Sequence, residues 1–281
     1  MAKYADKCQK KKIPLILLNA RITVNSYNKW KVIPYTAKKL FQSFDICFSQ
    51  NQETRKYLKN LGAKKIKFLG NLKFSESKSQ KNCNFHNKLK KIFKYKRIWC
   101  AASTHNAEEK ICALAHKKLK IKYKNLLTII IPRHIHRSNN IINEIKDLDL
   151  KVQIRSTDNK ISENTDIYLV DSFGETNSFY KICETVFLGG SLINHGGQNP
   201  LEPARFGCKI LHGPYVQNFR EVYNFLEKNN LSSKFYNAKQ LANSVKKSFS
   251  TKANFTNKTI KLKKMGSHIL NKTFTDINNY L

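Results

Sequence analysis

Short apolar runs alternate with longer amphipathic stretches along most of this chain, and that alternation restricts its fold more than any other feature. Residues 13–19, 45–49, 65–69, 97–101 and 126–131 read as strands, joined by weaker ones near 151–155 and 166–170 and by 185–188 and 209–211. Helical patterns fall between them at 35–44, 51–61, 106–120, 137–148 and 175–183, then from 200 and from 218, with basic helices from 237 onward. Buried strands separated by helices form parallel sheets covered on both faces, so an α/β fold is expected. Residues 75–96 break the pattern with a polar, Lys-rich stretch. The expected divisions are a first domain at 1–74, a linker with a basic helix at 75–96, a complete doubly wound domain at 97–250 and C-terminal helices at 251–281. The first domain holds about three strands and reads as the back end of a larger sheet.

Apolar residues make up 41% of the 281, enough for a packed core. No run reaches the ~18 apolar residues of a membrane span, and no apolar signal core follows the N-terminus. A chain that neither crosses a bilayer by itself nor is secreted by that route is expected. The seven cysteines are odd in number and include no C-x-x-C, which reads as free thiols in a reducing compartment. The net charge is +33, yet only eight of the 52 basic residues are arginine. A nucleic-acid reader would use more Arg, and neither RNP-like aromatic strands nor helix-turn-helix spacing is present. No nucleic-acid partner is expected; the lysines are a solvated surface or an attraction to anionic membrane. Residues 162–203 reverse the charge, with six acids against Lys181 alone.

That acidic island holds the strongest segment, 189–204, which follows a strand and precedes a helix. Open α/β sheets bind ligands at such carboxyl edges. Its four glycines, Gly189, Gly190, Gly196 and Gly197, let a ligand approach the backbone closely. Asn199 suits an N-cap, Pro200 the first turn, and Glu202 either closes a capping box or accepts from ribose hydroxyls while helix-start amides meet an anion. Asp171-Ser172-Phe173-Gly174-Glu175 ends a strand and opens a helix; it is either an ordinary loop with Glu175 at a helix dipole or a place where backbone groups around Gly174 read a base. Arg133, after Pro132 at a strand end, is placed to fork onto a phosphate or to pair with the island. Ser103, Thr104 and His105 sit where the strand from 97 meets its helix and suit a phosphate or carboxylate, with Asn106 and Glu109 as the capping alternative. His134 and His136 lack a third ligand at sensible spacing, so no metal is expected. Lys73, in a loop that ends a strand, could neutralise a leaving group.

Together and in this order, LLNAR (17–21), GNLKF (70–74), AASTH (101–105), PRH (132–134), GGQNPLEPA (196–204) and GPYVQNFRE (213–221) resemble the 3-deoxy-D-manno-octulosonic acid (Kdo) transferases of lipopolysaccharide assembly. The resemblance runs from about residue 13 to 222. It implies a GT-B glycosyltransferase, two Rossmann-like domains with a cleft between them, the N-terminal one incomplete here. It implies CMP-Kdo as the donor substrate, a lipid A precursor as acceptor, inversion at the anomeric carbon, no metal and no cofactor. It also implies a peripheral place on the cytoplasmic side of the bacterial inner membrane, although no anchor is read in this chain. Carried over by position, Pro132 and Arg133 match a CMP-binding pair, Phe173, Gly174 and Glu175 a CMP-contacting tripeptide, and Asn199, Pro200, Leu201 and Glu202 a nucleotide-binding quartet. Lys73 matches a lysine that stabilises the transition state. Ser103, Thr104, His105, Gly190 and Ser191 are candidate donor contacts. The family often has Met at Phe173 and Pro-Glu-Arg where Ile135-His136-Arg137 stands. No residue here matches the family's general-base glutamate. A catalytically inactive remnant that keeps only nucleotide binding is the alternative.

Overall fold

The computed structural model describes residues 7–8, 10–75, 93–157, 161–250 and 255–280. The chain forms two compact units, Met1–Ser77 with Lys261–Leu281, and Lys78–Ile260. Of the expected linker at 75–96, residues 76–92 lie outside the described ones.

The first unit runs β1 (Ile16–Ala20), α1 (Val24–Val32), α2 (Pro34–Gln42), β2 (Ile46–Ser49), α3 (Gln52–Asn60) and β3 (Ile66–Phe68). The strands form a parallel sheet in the order β1-β2-β3. Local signals fix the helix starts. Thr23 accepts the Ser26 N–H to cap α1, Pro34 opens α2, and Asn51 accepts the Thr54 N–H at 2.7 Å to cap α3. Ala37, Leu40 and Phe41 of α2 and Leu58 of α3 pack with Cys47 of β2 in one apolar cluster. Helix α1 has no strand-like or strongly amphipathic signature and buries none of its residues, which is why periodicity passes over it.

The second unit continues with β4 (Arg97–Thr104), α4 (Glu108–Lys120), β5 (Leu126–Pro132), α5 (Ser138–Ile145), β6 (Val152–Ile154), β7 (Ile167–Leu169), α6 (Thr176–Tyr180), β8 (Thr185–Leu188), α7 (Leu201–Arg205), β9 (Lys209–His212), α8 (Arg220–Lys228), β10 (Ser232–Lys234) and α9 (Ala238–Ser250). All seven strands are parallel, in the order β10-β9-β8-β4-β5-β7-β6. The chain starts at the centre with β4, builds outward through β5, then crosses to β8, β9 and β10. The direction of winding therefore switches between β4 and β8, where open α/β sheets bind their ligands. The expected doubly wound parallel sheet is present. Trp99, Ile130, Phe187, Leu211 and Phe235 fill its centre against α4 and α9, and every residue of β5 is buried.

A buried polar network ties α4, β5 and the start of β7 together. Asp166 Oδ1 lies 3.4 Å from His116 Nε2 and accepts from Lys120 Nζ at 2.5 Å, while Oδ2 accepts the Lys151 N–H at 3.0 Å. His116 Nδ1 is 2.8 Å from Thr128 Oγ1. The last helix, α10 (Phe255–Asn278), belongs to the first unit from Lys261 on. It buries Leu262 and Ile269, and Asp276 pairs with Lys67 at 2.8 Å. Among the described residues, no helix is long and apolar enough to cross a membrane.

Candidate functional site

The loops leaving β4, β5 and β8 meet at the switch point. Arg133 N–H donates to the Thr104 carbonyl and Gly189 N–H to the Ala102 carbonyl, each at 2.9 Å. A Cβ on Gly189 would stand 2.3 Å from the Ser103 carbonyl oxygen and 2.7 Å from Glu108 Oε2, so only glycine lets the β8 loop cross this close.

Glu108 organises the loop. Its side chain is fully buried at the start of α4. Oε2 accepts the N–H groups of His105 at 2.9 Å and Gly190 at 2.7 Å; Oε1 accepts those of Ser191 at 3.1 Å and Leu192 at 2.9 Å. Burial raises the Glu108 pKa, and the four backbone donors pull it the other way. The sequence places the cap of this helix on Asn106 and Glu109. Instead Ala107, at φ +70°, is the N-cap, Glu109 pairs with Arg137 at 2.9 Å, and Asn106 Oδ1 accepts from the same guanidinium at 3.4 Å.

These bonds change the expected role of the Gly-rich loop. The Gly190, Ser191 and Leu192 amides serve Glu108, not an incoming anion. Pro200, which has no N–H, is the N-cap of the five-residue α7, and the Leu201 N–H donates to Asn199 Oδ1 at 3.2 Å. One of the helix-start amides expected to meet an anion is therefore already engaged, and Pro200 has helical φ and ψ, which moves the cap one residue past Asn199. Glu202 closes no capping box and stands exposed in the first turn. Ser191 is fully buried, donating to the Leu188 carbonyl at 2.6 Å and accepting the Gly213 N–H at 2.9 Å, and Thr104 is fully buried too. Their hydroxyls are therefore enclosed, unlike the half-buried Ser103 and His105 expected beside them as donor contacts. Residues 213–219 clamp the loop from its other side, with Tyr215 N–H on the Ser191 carbonyl and Asn218 N–H on the Gly196 carbonyl.

Arg133 and His105 are among the side chains left at this edge. Arg133 is exposed and makes no ion pair among the described residues, so its expected pairing with the acidic island does not occur. His105 is half-buried, and burial together with His195, His134, Arg137 and Arg133 lowers its pKa to about 4. On the loop after β7, Phe173 is 80% exposed and Gly174 has φ +80°. Glu175 accepts from Ser172 Oγ and pairs with Arg155 at 3.2 Å. Asp171 accepts the Ser156 N–H at 2.9 Å. Arg155 follows β6 as Arg133 follows β5, a strand-end position that the weak apolar signal of β6 leaves unmarked in the sequence. Lys73 lies in the first unit, exposed in the turn Leu72–Ser75, its N–H donating to Asn71 Oδ1 at 3.0 Å. No group of three His, Cys, Asp or Glu among the described residues could hold a metal ion.

Comparison with known proteins gives this arrangement its relatives. The family described as 3-deoxy-D-manno-octulosonic-acid transferase (kdotransferase) matches residues 2–76. The 3-deoxy-D-manno-octulosonic acid transferase of Haemophilus influenzae is 34% identical over 217 residues, covering 76% of this chain and 51% of that protein. The crystallised C-terminal CMP-Kdo binding domain of WaaA from Acinetobacter baumannii is 25% identical with a TM-score of 0.57, covering 67% of this chain and 99% of that one. Anabaena Alr3699/HepE in complex with UDP covers 100% of this chain and 76% of its own at 11% identity and a TM-score of 0.56, a likeness of fold alone. The parallel α/β architecture is that of GT-B glycosyltransferases. The chain spans about half the length of the curated relatives it matches. By its sequence and by the fold of its second unit, it belongs to the Kdo transferase family.

Proposed function

We propose that the chain carries the donor-binding part of a transferase that moves Kdo from CMP-Kdo to a lipid A precursor, inverting and without metal. The observation that supports this most is Arg133, an unneutralised guanidinium at the strand edge beside the switch point, in a unit similar to a domain that binds CMP-Kdo. In this reading Arg133 forks onto the CMP phosphate, Glu202 accepts from the ribose hydroxyls, and Phe173, Gly174 and Glu175 meet the cytosine, with the exposed Phe173 ring available for stacking. Lys73 offsets charge that develops as CMP departs. No residue of this chain is assigned as general base. The lysine-rich surface holds the protein against anionic lipid at the inner membrane.

The alternative reading is nucleotide binding without transfer, since no residue of this chain is assigned as general base. Titration with CMP at moderate salt, with UMP as control, tests the shared part of both. Selective CMP binding supports the donor site, and equal affinity for both nucleotides counts against it. A transfer assay with the N-terminal half of a relative supplied in trans then separates the two: Kdo transfer supports the enzyme, and binding without transfer the remnant.

A further inference from the structure

Imidazoles line the crevice where the β4, β5 and β8 loops meet. His195 stands 4.4 Å from His105 between ring centroids, His105 is 6.0 Å from His134, and His134 is 5.6 Å from His136. Gly190 makes the tightest of these contacts feasible, since a Cβ there would lie 3.1 Å from the His195 ring and 3.3 Å from that of His105. Gln198 Nε2 stands 3.5 Å from His105 Nε2.

The titratable groups that act on His105 are the imidazoles of His195 and His134 and the guanidinium groups of Arg137 and Arg133. The two carboxylates on the same helix start are already committed, Glu108 to four backbone amides and Glu109 to Arg137. The loop amides that would otherwise receive an anion are spent on Glu108. A gathering of imidazole and guanidinium groups whose adjoining carboxylates, Glu108 and Glu109, are already engaged matches an oxyanion.

We propose that His105, His134 and His195, with Arg133, form an oxyanion subsite that grips the phosphate of the bound nucleotide. The identity of the ligand rests on the nucleotide reading above; the subsite itself rests on the cluster. Imidazole is the side chain that changes charge between pH 5 and 8. Burial, with His195, His134, Arg137 and Arg133 nearby, lowers the His105 pKa to about 4. An arriving dianion favours the charged form of any imidazole beside it, so binding draws a proton into the cluster.

Calorimetry of CMP binding at pH 7.5, in two buffers of different ionisation enthalpy, reads that proton. The second ionisation of a phosphate monoester lies near pH ~6, so the ligand is already dianionic and protons taken up go to the protein. The expected result is uptake of about half a proton with CMP and none with cytidine. His195→Gln and His105→Gln each cut the uptake at least by half and weaken CMP about fivefold, the difference between a charged and a neutral hydrogen bond. His195 is exposed, so its variant is expected to keep the parent's thermal unfolding. In parallel, inorganic phosphate is expected to move the imidazole resonances of His105 and His195 in NMR spectra. CMP binding without proton uptake overturns the proposal, as do imidazole resonances that phosphate leaves unmoved. If CMP does not bind but phosphate moves those resonances, the nucleotide reading falls and the subsite stands.

Discussion

Glu108 accepts the N–H of Gly190 at 2.7 Å across 82 residues of sequence, so one buried carboxylate ties the first loop of the second unit to its Gly-rich loop. Each of its oxygens takes two amides. Glu108→Gln would turn an NH2 group toward N–H donors and leave at least two of them buried and unpaired. The expected cost is about 3 kcal/mol of stability, with weakened nucleotide binding because the loop is released. Urea unfolding followed by CMP titration checks both; a variant as stable as the parent would mean the carboxylate does not organise the loop.

Arg133 and Glu202 are exposed, so changing them is expected to leave stability within about 0.5 kcal/mol while affinity falls. Arg133→Ala is expected to weaken CMP binding about tenfold or more, the worth of a charged hydrogen bond. Arg133→Lys restores only part of it, because an ammonium cannot make the bidentate fork. Glu202→Gln keeps one acceptor oxygen and loses less, about threefold. Thermal unfolding beside CMP titration distinguishes these outcomes from damage to the fold.

The parallel sheets could be read from sequence because strands such as Leu126–Pro132 are buried along their whole length and leave an uninterrupted apolar run. The polar three-residue β10 (Ser232–Lys234) leaves no such trace and is held by pairing with β9. At the site, the positions of Arg133 and Glu202 follow from strand ends and a helix start, which local patterns mark. The role of Glu108 does not, because its partners at Gly190, Ser191 and Leu192 are remote in sequence and nothing near Glu108 announces them. The spacing from Asn106 to Glu109 suggests a capping pair, but Arg137, arriving from beyond β5, takes both side chains.

Acid stability is expected to depend on Asp166. Burial alone would raise its pKa, but hydrogen bonds from His116, Lys120 and the Lys151 amide outweigh that and hold it well below the usual carboxylate range. An unfolded Asp ionises near pH ~3.9. The stabilisation is therefore fully present above about pH 4 and drains away as pH falls toward the lower folded value. Asp166→Asn is expected to be less stable at pH 7 and to lose less on going from pH 4 to pH 2. Urea midpoints measured at these three pH values check the sign; parallel losses in parent and variant would assign the acid sensitivity elsewhere.

Gly266 of α10 lies where a Cβ would come 2.3 Å from the Phe74 carbonyl oxygen and 3.1 Å from Ser75 Cα, both in the turn that carries Lys73. The C-terminal helix thus braces that turn within the first unit, and Ile269 reaches Gly70 at its other end. Backbone cannot yield as a flexible side chain can, so Gly266→Ala must shift the helix or the turn. Overpacking of this kind costs about 1–3 kcal/mol. The second unit is a separate compact body, so its CMP affinity is expected to stay at the parent value. Any Kdo transfer that depends on Lys73 is expected to fall, and Lys73→Ala is expected to lower it too. Pairing CMP titration with the trans-complemented transfer assay reads the two effects apart. A Gly266→Ala protein with parent stability and parent transfer would show that the turn does not need this close approach.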